Sequence, residues 1–213
     1  ITSVSGIRGT IGGAPGHNLT PKDIVAFTSA YAAWLAKQKH KNRSIVVGRD
    51  ARPSGPMLAH LVIGTLISMG YEVIDIGLTT TPSVALAVPH LKAAGGIVLT
   101  ASHNPVEWNA LKLLNARGEF LSAQDGAEVL AGVQAGDYSY APVTDLGGYC
   151  TDNFLFDHID HILRLPLVRR DVIAKSGLRI GVDGINSSGG DYVPELLRAL
   201  GIPPQNISQI HCV

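Results

Sequence analysis

The sequence has few cysteines and no excess charge of either sign. Its 213 residues include two cysteines, Cys150 and Cys212, which are far apart and form no C-x-x-C pair. Two such cysteines in a chain of this size indicate reduced thiols and predict a cytoplasmic protein. The 17 Lys and Arg residues balance 17 Asp and Glu residues, so there is no basic field to attract nucleic acid or a membrane surface.

Signals for membrane insertion and secretion are also missing. No apolar run approaches the roughly 18 residues of a membrane-spanning helix. The N-terminus lacks a charged segment followed by an apolar one, so no secretory signal is visible. We therefore expect neither nucleic acid nor a membrane as a partner. Hydrophobic residues make up 46% of the chain, with 24 Gly and 12 Pro, which suits the packed core and many turns of an α/β protein.

Alternating strands and helices predict the fold class. Strands are expected at 44–48, 71–77 and 96–100, and the helices between them begin at Ser54 and at residues 79–82. A β-α-β-α-β order within about 60 residues is typical of a parallel sheet with helical crossovers. We therefore expect a three-layer α/β/α fold with a mixed, mostly parallel sheet.

Further segments belong to the predicted first domain. A short strand is expected at 1–4, followed by a loop over 5–10. Thr, Pro and Asp within residues 20–23 predict the start of a helix. Residues 111–121 suggest a hairpin on the sheet, and the polar start of 122–134 predicts another capped helix.

The chain divides into a domain at 1–148, a helical linker at 149–177 and the start of a second, similar domain at 178–213. The linker is expected to begin with a helix over 150–165 that Pro166 ends. The second unit has the order strand, Gly/Ser-rich turn, helix, strand. One such unit cannot bury both faces of its sheet, so we expect 178–213 to be the front of a truncated domain.

Two histidines in the linker are candidate metal ligands. His158 and His161 stand three residues apart, and Asp157 and Asp160 accompany them. Nothing else in the sequence converges on them, and metal sites need three or four ligands. A solvated helix face is therefore the favoured interpretation.

The sequence is organised around residues 96–105, an apolar run that leads into Thr100-Ala101-Ser102-His103-Asn104-Pro105. The run predicts a buried strand, and the small and polar residues closed by proline predict a turn. Ligands of open α/β sheets bind outside the carboxyl ends of the strands. Ser102 is therefore placed where a reactive hydroxyl would be exposed. The alternative is an ordinary polar turn after a core strand.

Two cationic residues and one arginine-containing turn accompany this loop. Arg8 stands between glycines and could hold a phosphate with its planar fork, although a solvated loop arginine is the alternative. Lys112 lies ten residues after the serine on the first arm of the expected hairpin, where the alternative is a surface lysine on an edge strand. The two arginines of residues 49–55 could hold an anion at the helix N-terminus, or Arg49 and Asp50 could form a charge network that ties loops together. We interpret 49–55 mostly as scaffolding around the site.

The hexapeptide at 100–105 resembles the signature of the α-D-phosphohexomutases, the phosphoglucomutase/phosphomannomutase family. Elements around Arg8, at 49–55 and at 182–186 also resemble this family and occur in its order. Asn109 and Lys112 match a family N-G-x-K element, but Ala110 replaces the glycine. This departure costs little if residue 110 has a negative φ, and it argues against a tight left-handed turn there.

The resemblance implies an enzyme that interconverts hexose 1-phosphates and hexose 6-phosphates. Ser102 would carry the phosphoryl group, pass it to a hexose phosphate and recover another from the bisphosphate. Arg8 would stabilise phosphoryl oxygens, and His103 would orient the loop or hydrogen-bond the phosphate. Lys112 would transfer the proton of the sugar hydroxyl, helped by a pKa lowered beside other cations.

The resemblance also implies what the chain lacks. Mg²⁺ would be held by the Ser102 phosphate and by carboxylates of a D-G-D-x-D-R loop that the sequence does not contain. The family's sugar-recognition and phosphate-binding loops are absent too, so we expect the missing C-terminal domains as partners and no turnover by this chain alone. The sugar stays open among glucose, mannose and glucosamine phosphates, although 108–115 looks somewhat like bacterial phosphoglucosamine mutases.

Two other functions compete with this interpretation. A serine hydrolase built on Ser102 would lack the G-x-S-x-G elbow. A non-catalytic α/β binding or interaction module would keep the fold without phosphorylation of the serine.

Overall fold

The computed structural model describes residues 2–3, 6–38 and 40–212. The strands are β1 (Thr2–Ser3), β2 (Gly6–Thr10), β3 (Ser44–Arg49), β4 (Glu72–Leu78), β5 (Gly95–Leu99), β6 (Trp108–Leu114), β7 (Tyr149–Thr151), β8 (Ile180–Asp183) and β9 (Ile207–Ile210). The helices are α1 (Pro21–Lys37), α2 (Gly55–Ser68), α3 (Thr81–His90), α4 (Ala123–Ala135), α5 (Leu155–Leu163), α6 (Arg170–Ala174) and α7 (Gly189–Ala199). Within these described ranges, no helix is both long and apolar enough to cross a membrane.

The main sheet has the strand order β1-β2-β6-β5-β3-β4-β7. The pairs β5–β3, β3–β4 and β4–β7 are parallel, and the pairs β1–β2, β2–β6 and β6–β5 are antiparallel. Only β1 and β6 therefore run against the other strands of this sheet. The expected mixed, mostly parallel sheet is confirmed.

Helices cover both faces of the sheet. Buried side chains of α1, α2 and α4 pack against one face, where Ile45, Val47 and Ile97 are buried. Val46 and Val98, whose side chains point to the opposite face because residues alternate along a strand, pack against α3 and Phe154. This is the three-layer α/β/α arrangement that the sequence predicts.

Polar caps begin three of the helices as the sequence predicts. The Thr20 and Ser122 side chains each accept a hydrogen bond from an aspartate amide three residues on and complete capping boxes. Thr80 caps α3 in the same way, without the reciprocal bond. Ser54 precedes α2 but makes no capping bond, because its backbone is helical and not extended as a capping residue requires; its hydroxyl accepts from Asn109 Nδ2.

Three local predictions are wrong. Residues 6–10, expected as a loop, form β2, because they pair along their whole length with β6. Cys150 lies in β7 and not in a helix, because this segment pairs with β4 and closes that edge of the sheet. The second arm of the predicted 111–121 hairpin is reduced to one bridge at Phe120, because β2 occupies the place beside β6.

The strand expected at 1–4 is described only for 2–3; residues 1, 4 and 5 lie outside the described part.

The last part of the chain forms a small second unit. β8 and β9 pair in parallel, and α7 connects them. The unit contacts the first part of the chain through Tyr192, whose hydroxyl lies 2.7 Å from Thr79 Oγ1. The strand–helix–strand order of this unit is therefore confirmed, and the division of the chain into domains stays a prediction.

Candidate active site

The serine of the loop lies just beyond the carboxyl end of β5, which is buried along its whole length. The Ser102 side chain is exposed, and its φ of 55° places the backbone in the left-handed region. This region is rarely populated by residues other than glycine, asparagine and aspartate. The Ser102 amide donates to Thr100 Oγ1 at 3.0 Å, and the Asn104 amide donates to the Ala101 carbonyl at 3.1 Å. These bonds fold the loop back on the strand end and present the hydroxyl outward.

Lys112 reaches this hydroxyl from the middle of β6. Its Nζ donates to Ser102 Oγ at 2.7 Å. Burial lowers the Lys112 pKa, the positive charge of Arg8 lowers it further, and Asp50 opposes the shift. The expected direction is confirmed, and burial is its largest cause. The alternative of a lysine on an edge strand is wrong, because β6 lies between β2 and β5.

Arg8 comes from β2, the neighbour of β6 in the sheet. The antiparallel register pairs Arg8 with Ala110 and Gly6 with Lys112, so these side chains share one face of the sheet. Arg8 Nη1 donates to Asn104 Oδ1 at 3.0 Å. The φ of Ala110 is not positive. The family's glycine is therefore not required at this position for backbone conformation.

Arg52 holds the loop from the other side. Its guanidinium donates to the carbonyl oxygens of Ser102, Asn104, Pro105 and Trp108 at 2.6–2.9 Å. The scaffolding role expected for 49–55 is supported by these contacts, although no sequence signal singled out Arg52 as their donor. Asp50 completes the arrangement, because it accepts the Thr100 hydroxyl at 2.6 Å.

His103 stands apart from this network. Its side chain is exposed and makes no hydrogen bond or ion pair with the described residues. His103 is expected either to orient the loop or to hydrogen-bond the phosphate. Arg52 and Asp50 make the loop contacts that the first role requires, and the second role stays a prediction. Ala101 is buried under the loop.

No histidine contacts Ser102 Oγ within the described ranges, so a hydrolase built on this serine would lack a histidine base.

The described residues near Ser102 Oγ offer few ligands for a metal ion. In the part of the chain that the structure covers, no group of three or more His, Cys, Asp or Glu side chains could hold an ion. Asp50, the carboxylate bonded to the loop, is already engaged by Arg52 and Thr100. These residues alone do not form a Mg²⁺ site. A phosphoryl group on Ser102 would be the one ligand that they offer to the cation.

The two linker histidines do not converge. His158 Nδ1 lies 2.8 Å from Ser83 Oγ, whereas His161 Nε2 lies 3.5 Å from His90 Nδ1. Burial, and secondarily His161, lowers the His158 pKa. Both histidines are half-buried against α3, so the expectation of a solvated helix face is wrong for them, whereas Asp157 and Asp160 are exposed as expected.

The site defines a class of protein in which a loop serine at a strand end is paired with lysine and arginine. The family model "Phosphoglucomutase/phosphomannomutase, alpha/beta/alpha domain I" matches residues 1–139. The chain belongs to the phosphoglucomutase/phosphomannomutase family.

Named relatives agree with this assignment. The chain is 34% identical over 195 residues to a phosphoglucomutase/phosphomannomutase of Thermococcus kodakarensis, covering 91% of this chain and 42% of the relative. It is 34% identical over 202 residues to a phosphoglucosamine mutase of Symbiobacterium thermophilum, covering 92% of this chain and 43% of the relative. The chain thus spans about two fifths of the length of these curated relatives.

A solved structure shows the same fold. A phosphoglucomutase/phosphomannomutase family protein of Burkholderia thailandensis superposes with a TM-score of 0.71 at 20% identity, over 100% of this chain and 45% of that one. At this level of identity the likeness concerns the fold alone.

Proposed function

We propose that this chain is the N-terminal portion of a phosphohexomutase that interconverts hexose 1-phosphates and hexose 6-phosphates through a phosphoserine at Ser102. The observation that carries the proposal is the 2.7 Å contact between Lys112 Nζ and Ser102 Oγ on an exposed loop at a strand end. Membership of the family and the names of the relatives support the substrate class. The sugar stays open among glucose, mannose and glucosamine phosphates.

The contacts support a division of labour among the site residues. When a sugar hydroxyl attacks the phosphoserine, a new P–O bond forms to the sugar and the bond to Ser102 Oγ breaks. Lys112 in its neutral form accepts the proton of that hydroxyl, and burial and Arg8 both shift its pKa in the direction of that form. The lysine then returns the proton to Ser102 Oγ, to which it already donates in the unphosphorylated structure. Arg8, on the same sheet face, stabilises the charge on the phosphoryl oxygens.

Mg²⁺ is part of the proposal, with Ser102 as its single contributor from this chain. When bound, the cation would neutralise charge on the transferring phosphoryl group. Its carboxylate ligands would come from outside the described residues. We also propose the division into a domain at 1–148, a linker at 149–177 and the start of a second domain at 178–213, and C-terminal domains of the same protein as partners. A cytoplasmic location stays a prediction.

Intact mass spectrometry of the full-length gene product tests the proposal. Incubation with glucose 1,6-bisphosphate and Mg²⁺ should add ~80 Da, one phosphoryl group, and peptide mapping should place it on Ser102. Ser102→Ala should lose both this increment and turnover with an unchanged melting temperature. Ser208→Ala, which removes an exposed serine of the second unit, should behave like the wild type.

Two results would contradict the proposal. Normal turnover by Ser102→Ala would show that this serine is not the nucleophile. An unmodified wild-type protein under every hexose bisphosphate would favour the binding-module interpretation. The 213-residue chain alone should show no turnover, and measurable turnover by the pure chain would refute the need for further domains.

A further inference from the structure

The Arg52 guanidinium, which is largely enclosed, bonds to the backbone of the serine loop at several points. It lies in the turn after β3, and its side chain is only 11% exposed. Nη2 donates to the Ser102 and Asn104 carbonyls at 2.8 and 2.6 Å. Nη1 donates to the Pro105 and Trp108 carbonyls at 2.7 and 2.9 Å. One side chain therefore fixes four carbonyl groups between residues 102 and 108.

The four Nη donors of this guanidinium are all bonded. Arginine carries five N–H groups, and four of them make the carbonyl bonds. The fifth, on Nε, faces Asp50 Oδ2 at 3.3 Å, an ion-pair contact without hydrogen-bond alignment. Because Nε is buried, Arg52 has no accessible donor left for a phosphate or a sugar.

A second route links the same ion pair to the serine. Asp50 Oδ2 accepts the Thr100 hydroxyl at 2.6 Å, and Thr100 Oγ1 in turn accepts the Ser102 amide at 3.0 Å. The Ser102 backbone is thus held at its carbonyl by Arg52 and at its amide through Thr100 and Asp50. Both attachments converge on one salt bridge.

The conformation of the serine explains why such a clamp is needed. A serine at φ 55° occupies a strained region, and strained residues persist where the surrounding structure over-determines them. Ser102 is exposed, so packing does not supply this constraint. Without it the loop can relax to a negative φ, which redirects the hydroxyl away from Lys112.

We propose that Arg52 is a positioning residue that holds Ser102 Oγ against Lys112 for phosphoryl transfer; this inference rests on the proposed function. The Arg52 side chain contacts only loop carbonyls and Asp50, so its loss impairs the transfer step and leaves sugar binding unchanged. Lysine cannot replace it, because an ammonium has three donors and no planar fork.

The test compares Arg52→Lys with Arg43→Lys in the full-length protein. Arg43 also donates to a backbone carbonyl, that of Met69 at 3.0 Å, but it lies before β3 at the opposite end of the strand. Arg52→Lys should lower kcat and the rate of Ser102 phosphorylation by about 10- to 100-fold, since a displacement of 1 Å can cost about 100-fold. KM should stay within about twofold for both variants, and Arg43→Lys should keep the wild-type kcat.

A second measurement does not depend on activity. Hydrogen exchange of the 213-residue chain should become faster across 100–108 in Arg52→Lys and stay unchanged there in Arg43→Lys. Unchanged exchange in Arg52→Lys would overturn the inference even if the protein proved not to be a mutase. A wild-type protein that acquires no phosphoserine would count against the proposed function instead.

Two kinetic outcomes would also overturn the inference. A wild-type kcat in Arg52→Lys would show that the clamp is dispensable. A raised KM with unchanged kcat would mean that Arg52 serves binding. If Arg52→Lys proves unfolded at the assay temperature, Arg52→Gln takes its place: its amide has two N–H donors, so it can keep at most two of the four carbonyl contacts, and it should also lower kcat. A wild-type kcat in Arg52→Gln would then refute the clamp.

Discussion

Thr100 connects the Ser102 backbone to the Asp50 carboxylate, and valine removes this connection while keeping the branched shape of the side chain. Thr100 Oγ1 accepts from the Ser102 amide at 3.0 Å and donates to Asp50 Oδ2 at 2.6 Å. The residue is 6% exposed, so water cannot replace both partners freely. Thr100→Val should therefore destabilise the protein through these two bonds.

The expected magnitude follows from the two bonds. The neutral amide bond contributes about 1 kcal/mol and the bond to the carboxylate about 1.5–3 kcal/mol. Asp50, whose side chain is 19% exposed, recovers part of its loss from water. We expect the free energy of unfolding to fall by about 2–3 kcal/mol. Each kcal/mol lowers the melting temperature of a chain of this size by about 2–4 °C, so the decrease should be about 4–12 °C.

Urea and thermal unfolding, followed by circular dichroism, measure the effect on the 213-residue chain. The matched control is Thr65→Val, because Thr65 is 7% exposed and its hydroxyl donates to a helical carbonyl, that of Leu61, at 2.7 Å. A hydroxyl bonded back to its own helix contributes little, and the control should stay within about 0.5 kcal/mol of the wild type. Equal losses in the two variants, or no loss in Thr100→Val, would refute this reasoning.

Two further predictions concern the β2–β6 pair. In NMR titrations Lys112 should lose its proton at a lower pH than an ordinary lysine, and Arg8→Met should raise its pKa again; an unchanged pKa in that variant would exclude the charge of Arg8 as a cause. Because the folded pKa lies below the ordinary 10.5, stability should rise with pH in the window just below 10.5 and be lost as pH falls through the lowered pKa. Gly6→Ala should destabilise the chain by more than about 2 kcal/mol, because a Cβ at Gly6, where φ is +132°, would overlap the Leu111 carbonyl oxygen. Gly12→Ala, at φ +92° in open space, should cost about 1–2 kcal/mol, and equal urea midpoints for the two variants would contradict the steric argument.

The local features of the fold could be predicted from short stretches of sequence. Thr20 and Ser122 cap their helices because the capping bonds join residues three positions apart. The serine loop follows a buried strand because the apolar run of β5 ends at Leu99. Such features depend on neighbours within a few residues, and the chain carries that information locally.

Strand pairing was the main source of the wrong predictions. Residues 6–10 and 149–151 have no strong strand pattern of their own, yet they form β2 and β7. Each becomes a strand because the neighbouring β6 or β4 offers unpaired backbone groups, and buried backbone groups must be paired. A short segment therefore takes its structure from the partner beside it.

Short stretches of sequence are enough to predict the α/β class, the helix starts and the position of Ser102 on a loop at a strand end. The groups that meet this serine are set by contacts between distant parts of the chain. Arg8 and Lys112 come together because β2 pairs with β6 across about a hundred residues of chain, and Arg52 reaches the loop from 50 residues away. The physical reason is that strand order and register follow from burial and hydrogen bonding summed over the whole sheet, which no single stretch of the chain specifies.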